Sequence, residues 1–182
     1  VVQRIISHLI PPRRLPRLEF DRVPHDARTM VIVPTILDNL TQVRDLLSHL
    51  EVQALGNVDP RIHFALLTDF RDAASETLPR DAEILAEACA GIEELNARHG
   101  EGGTDRFFLF HRQRQWNRRE GLWMGWERKR GKIEEFNRLL RGATDTSFVV
   151  TVGDLAVLPH VQYCITLDSD TRLPRGAAHQ LI

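Results

Sequence analysis

The run Tyr163-Cys164-Ile165-Thr166-Leu167 is apolar and β-branched, and it breaks into two carboxylates one residue apart, Asp168-Ser169-Asp170-Thr171. Aspartate suits strands poorly, so the run predicts a strand that ends at Leu167 and delivers both acids at its C-terminal end. In open α/β sheets ligands sit outside that edge. Two carboxylates this close repel one another unless a cation neutralises them, and hard divalent cations take oxygen ligands. The pair reads as a metal–diphosphate site. A plain Asp-rich turn after a strand is the alternative.

A second concentration of chemistry runs from Arg112 to Lys132. Arg112, Arg114, Arg118, Arg119, Arg128, Lys129, Arg130 and Lys132 stand there against only Glu120 and Glu127, interleaved with Trp116, Trp123 and Trp126. A basic loop of this kind clamps phosphates through its cations and stacks a flat ring or a sugar on its indoles. The same composition suits a nucleic-acid patch, or a solvated loop whose tryptophans pack on the sheet edge. Gly131-Lys132 reads as the opening of a helix, where free N–H groups favour an anion and Lys132 adds a point charge. It is not a P-loop, because Ile133 stands where a hydroxyl residue is required. Asp69 closes another apolar run, Ile62 to Leu67, and is placed to accept hydrogen bonds from a nucleoside; a turn cap is the alternative there.

The elements that must hold these groups follow from periodicity. Thr29-Met30-Val31-Ile32-Val33-Pro34-Thr35 reads as a buried strand ended by proline. Leu40, Val43, Leu46, Leu47 and Leu50 recur at helical spacing, as do Ile84, Leu85, Ala88, Ile92 and Leu95, and then Ile133, Phe136, Leu139 and Leu140. Phe107-Phe108-Leu109-Phe110 is a third strand, and Phe148 to Val152 a short extra one. The pattern predicts parallel strands near 30–35, 62–68, 107–110 and 163–167 with helices on both faces. Parallel topology brings Thr35, Asp69 and the Asp168/Asp170 pair to one edge.

The 182 residues, 42% hydrophobic, are enough for a real core and one domain. A formal charge of −1 with 27% charged residues argues against disorder and against general nucleic-acid affinity. Cys89 and Cys164 lack metal-ligand spacing, so a disulfide framework is not expected and a reducing compartment is. No apolar run reaches the ~20 residues that cross a bilayer. Val1 to Ile10 followed by Pro11-Pro12-Arg13-Arg14 reads as a juxtamembrane or linker segment over 1–21, ahead of one domain over 22–182. With no initiator Met, and with Ala177 to Ile182 reading as the first turns of a helix, the expectation is a fragment of a longer protein.

A strand to Pro34-Thr35, a strand to Asp69, Gly131-Lys132 followed by Asn137, and Leu167-Asp168-Ser169-Asp170-Thr171 together resemble the donor half of a processive GT-A glycosyltransferase. More narrowly, Arg28 to Thr35, His63 to Phe70, Trp123-Met124-Gly125-Trp126-Glu127-Arg128-Lys129-Arg130-Gly131-Lys132 and Ile165 to Pro174 resemble the cyclic β-1,2-glucan synthases, over about 22–182. The resemblance implies an α/β, GT-A-like, doubly wound and mostly parallel sheet, a Rossmann-like nucleotide-sugar-binding half that is incomplete. It implies UDP-glucose as donor, Mg²⁺ or Mn²⁺ as cofactor and a growing β-1,2-glucan as acceptor. It also implies a large membrane-bound synthase on the cytoplasmic face of a bacterial inner membrane, with no nucleic-acid partner. Carried over by residue, Pro34 and Thr35 line the uridine site and Asp69 contacts the nucleoside. Arg130 and Lys132 hold the donor diphosphate, Asp168 serves ribose and metal, and Asp170 is the direct metal ligand. The catalytic base is expected downstream of Ile182. A nucleic-acid-binding module on segment 112–132 and a metal-dependent phosphohydrolase are the rival readings.

Overall fold

A computed structural model describes residues 22–100 and 103–182; the proposed juxtamembrane segment, 1–21, lies outside them. Five strands form one sheet in the order β6-β3-β2-β1-β7, with β1 at Thr29–Leu37, β2 at Ile62–Phe70, β3 at Phe107–Arg112, β6 at Phe148–Val152 and β7 at Tyr163–Thr166. The four strands β3, β2, β1 and β7 are mutually parallel, and β6 closes one side antiparallel to β3. A separate antiparallel hairpin, β4 (Gln115–Asn117) and β5 (Leu122–Met124), grows from the carboxyl end of β3. Helices α1 (Leu40–Gly56), α2 (Asp81–His99), α3 (Arg128–Leu140) and the short α4 (Ala177–Leu181) complete the chain.

Strand periodicity of two sorts each strand's side chains onto two cores. Val31 and Val33, Phe64 and Leu66, and Phe107 and Leu109 face α1 and α2, where they meet Val43, Leu46, Leu50, Ile84, Ala88, Ile92 and Leu95. The alternating set, Met30 and Ile32, Ala65 and Leu67, and Phe108 and Phe110, faces Phe136 of α3 and Val157 and Leu158 of a 3₁₀ segment. Both faces of the parallel strands are thus covered, which makes the sheet doubly wound and explains their near-continuous apolar runs. Asn39 starts α1 by accepting the Gln42 N–H at 2.9 Å.

Two local expectations are corrected. Pro34 does not end β1, which continues to Leu37. The Leu167 N–H donates to the Ile32 carbonyl, so even-numbered positions of β1 face β7. Since β7 stops pairing at Ile32, the missing N–H of Pro34 costs no ladder bond. Nor does Gly131 open α3: the helix starts three residues earlier, at Arg128, and the Gly131 N–H is bonded to the Glu127 carbonyl at 3.2 Å. Its N–H is therefore not available to an anion. Glycine is needed instead for close approach, because a Cβ there would lie 2.1 Å from the Trp126 carbonyl oxygen and 2.7 Å from its ring.

Candidate functional site at the carboxyl edge of the sheet

The polar ends of β1, β2 and β7 gather on one edge of the sheet, because those strands run parallel. They do not play equal parts there. Thr35 and Asp69 are buried, whereas Asp168 and Asp170 are exposed on a turn closed by the Thr171 N–H donating to the Asp168 carbonyl at 2.9 Å. The turn and the carboxyl-edge acids are therefore one feature. Lys129, on the first turn of α3, is ion-paired to Asp168 and bridges the helix to that turn. Asp170 is not ion-paired among the described residues.

Beneath this rim lies a buried charge cluster. The guanidinium of Arg112, fully buried at the end of β3, donates from Nε and Nη2 to both oxygens of Asp69 at 2.8 and 3.0 Å. Nη1 donates to Glu135 of α3 at 3.1 Å, and Nη2 also meets the carbonyls of Trp126 and Arg128 at 3.1 Å each. Burial works against the charged guanidinium, but the hydrogen bonds and charges of Asp69 and Glu135 outweigh it and raise the pKa of Arg112. Glu135 is completed by Ser147, whose hydroxyl donates to it at 2.5 Å. Lys132 is only 2% exposed; its Nζ lies 3.0 Å from Asp69 and donates to the Thr35 carbonyl. Desolvation lowers the Lys132 pKa, opposed by the neighbouring Asp69. Gly125 allows this packing, since a Cβ on it would sit 2.5 Å from an Asp69 oxygen.

Lys132 and Asp69 thus form one buried pair that ties β1, β2 and α3 together, and Arg130 lies exposed on the rim, 3.3 Å from Glu127. Pro34 is buried beside them in β1. The segment 112–132, read as one basic loop, is instead a strand end, a hairpin and a helical turn, and most of its cations are answered internally. Arg114 donates to Asp81, whose carboxyl is raised by burial but brought below its ordinary pKa by the Arg114 and Leu78 hydrogen bonds. Arg128 meets Asp72 at 2.8 Å and Glu120 at 2.9 Å. Sequence reasoning missed Arg112 and Glu135 as organisers of the site. The available signal was strand continuation: carrying the Phe107–Phe110 run through His111 and Arg112 sets a cation beside the terminal acid of the neighbouring strand.

A cleft opens past the ends of β1 and β2, lined by Leu37, Asp38, Arg71, Asp72, Ala73 and Leu78. Its walls set the apolar side chains of Leu37, Ala73 and Leu78 beside the charged Asp38, Arg71 and Asp72, so a ligand there meets both an apolar surface and hydrogen-bonding groups. Among the described residues no group of three or more His, Cys, Asp or Glu converges as a metal cage. The two carboxylates of the Asp168–Thr171 turn nevertheless fit a cation that arrives with its ligand, because Mg²⁺ is commonly held by one or two carboxylates plus substrate phosphates.

No family model matches the chain. It is 49% identical over 172 residues, 94% of its own length, to the cyclic beta-(1,2)-glucan synthase NdvB of Rhizobium meliloti (strain 1021), and it spans about 6% of that protein's length. The resemblance drawn above from four separate stretches of sequence thus extends through nearly the whole chain.

Proposed function

From its likeness to a segment of a cyclic beta-(1,2)-glucan synthase, we propose that this chain is the donor-binding part of a metal-dependent glucosyltransferase that adds glucose from UDP-glucose to a β-1,2-glucan. The observation that carries the proposal is the convergence of the β1, β2 and β7 ends at one carboxyl edge, with Asp168 and Asp170 outermost. The uridine occupies the cleft past β1 and β2; Pro34 and Thr35, buried in β1, are not among its lining residues and support its floor only through the strand that ends at Leu37. Lys129 and Arg130 project from the first turn of α3 and meet the diphosphate. Lys132 and Asp69, buried as a pair, fix the position of that turn and support the same charge from behind. Asp170, with Asp168 beside it, holds Mg²⁺ or Mn²⁺, which supplies neutralisation of the charge that develops on departing UDP.

Binding transfers Lys129 from Asp168 to the ligand's phosphates, so a cation already at the rim is redeployed without reorganising the core. The acceptor hydroxyl needs a general base, and none of the groups named here takes that role. As a portion of a large synthase, the chain works at the cytoplasmic face of a bacterial inner membrane, joined to the membrane-bound remainder. No helix among the described residues is long and apolar enough to cross a membrane.

Titration of UDP into the chain with and without Mn²⁺ tests the proposal. The expected outcome is metal-dependent UDP binding that disappears in Asp170→Ala. Binding to random oligonucleotides with steep salt dependence and no UDP effect would reject it in favour of a nucleic-acid module. Phosphate release from small esters would reject it in favour of a phosphohydrolase.

A further inference from the structure

The carboxyl edge carries a second cleft, where the β4–β5 hairpin stands beside the first turn of α3. Gln115, Trp116, Arg118, Arg119 and Trp126 are among its walls. Trp116 is 52% exposed and Trp126 is 42% exposed, so two of the chain's three indoles present large apolar faces to solvent. Both are held firmly. The hairpin is pinned by Trp123, whose backbone N–H and carbonyl pair with Ala73 at 2.8 and 2.9 Å and whose ring lies 5.9 Å from that of Trp116. Arg128 ties the hairpin to α3 through Glu120.

Trp126 is fixed at a cost. Glu127 and Arg128, which follow it, both lie in the left-handed region at φ 49° and 46°. Such non-glycine conformations are strained and persist only where the surroundings impose them. Here Arg112 imposes them by bonding the Trp126 and Arg128 carbonyls, and Gly131 lets the indole settle against the helix. The strained turn leaves Trp126 on the rim of the cleft.

We infer that this cleft binds the glucan chain, with pyranose rings stacked on Trp116 and Trp126. A β-linked glucose ring holds its hydroxyls equatorial, leaving flat C–H faces that match an indole, while Gln115, Arg118 and Arg119 supply hydrogen-bond donors for the hydroxyls. Arg128 is answered by Asp72 and Glu120, which leaves Arg118 and Arg119 as the cleft's cations without an ion pair among the described residues and so with their N–H groups open to the hydroxyls of a polyol. Two indoles in one cleft suit a polymer, and Lys129 links the same helical turn to Asp168. The identity of the polymer rests on the transferase reading; the stacking rests on the indoles.

The test titrates the 182-residue chain with a β-1,2-linked glucohexaose, read by tryptophan fluorescence and calorimetry, and separately with UDP plus Mn²⁺. Expected are saturable hexaose binding, weakening of about tenfold in Trp116→Ala and in Trp126→Ala, and retention in Trp126→Phe, which keeps an aromatic face. UDP–Mn²⁺ binding stays unchanged in all three, and thermal melts establish that they fold. Hexaose binding indifferent to both alanine variants overturns the inference, as does a chain that binds UDP–Mn²⁺ but no hexaose. Tryptophan-dependent binding of a single-stranded oligonucleotide in place of hexaose also overturns it. Hexaose binding that needs both indoles, in a chain that ignores UDP, upholds the cleft and removes the transferase reading.

Discussion

Arg112, the last residue of β3, grips both carboxylate oxygens of Asp69 on the neighbouring β2, at 2.8 and 3.0 Å, with no solvent exposure of its own. The same guanidinium holds the carbonyls that start α3, so one side chain joins the sheet to the helical turn that presents Trp126 and Lys129. Arg112→Met should lower stability by about 3–5 kcal/mol, the usual loss when one partner of a buried pair is removed. Lys132 still answers Asp69, which places the loss toward the lower end, with Glu135 the stranded charge. Arg112→Lys should recover only part of it, since a point charge cannot reproduce the fork. Urea unfolding of the three chains measures both effects.

Gly125 and Gly131 should each reject alanine. At Gly131 the helix-propensity gain of about 1 kcal/mol is outweighed by a Cβ 2.1 Å from the Trp126 carbonyl oxygen. At Gly125 the added carbon meets Asp69 at 2.5 Å and the Arg112 Nη2 at 2.9 Å. Both variants should melt at lower temperature than the parent. The Gly131→Ala chain should also show a changed tryptophan emission as Trp126 is displaced.

Metal and nucleotide should bind together. Two exposed carboxylates, one already paired with Lys129, make an incomplete cation site by themselves. Mn²⁺ alone should therefore bind weakly, and UDP should tighten it by the same factor by which Mn²⁺ tightens UDP. Calorimetric titrations in both orders measure that equality. Lys129→Ala should strengthen Mn²⁺ binding in the absence of UDP and weaken UDP binding in its presence.

Stability should fall on acidification through two buried histidines. His63 is brought down to about 4 by burial and then by Arg28, and His111 to about 4 by burial, with Lys132 adding to it and Asp69 opposing. The Nε2 of His111 is buried with no hydrogen-bond partner, which suits a neutral ring that accepts nothing. Because the folded pKa lies below the unfolded value of 6.5, the unfolded chain binds more protons between those two values. Stability is therefore fully present above pH 6.5 and is lost as the pH falls toward 4, by about 3 kcal/mol per histidine at most. The slope of unfolding free energy between pH 6.5 and 4 should flatten by about half in His63→Gln.

Much of this architecture was legible locally. The apolar runs Met30–Val33, Phe64–Leu67 and Phe107–Phe110 mark strands covered on both faces, but because they are apolar at every position, which side chains meet α1 and α2 and which meet α3 came only from the packing. The aspartates after Leu167 mark a strand end because aspartate suits turns, and the alternation of strands with helices sends every such end to one edge. Pro34 and Gly131 misled as punctuation. Pro34 sits where the neighbouring strand has already ended, and Gly131 answers to the bulk of Trp126 rather than to a helix start.

Tertiary structure alone decided the fate of the charges. Arg112, Arg118, Arg130 and Lys132 are equivalent cations in one dense stretch of sequence, yet Arg112 and Lys132 are buried in the core of the site while Arg118 and Arg130 stand in solvent. What separates them is whether a buried carboxylate waits where the side chain points: Arg112 and Lys132 meet buried Asp69, whereas Arg130 meets only the exposed Glu127. Asp69 is 43 residues away from Arg112 in the chain and becomes its neighbour only through the β2–β3 pairing. Local pattern marks the strand that carries a side chain, but a charge can be buried only against a partner that the folded topology supplies.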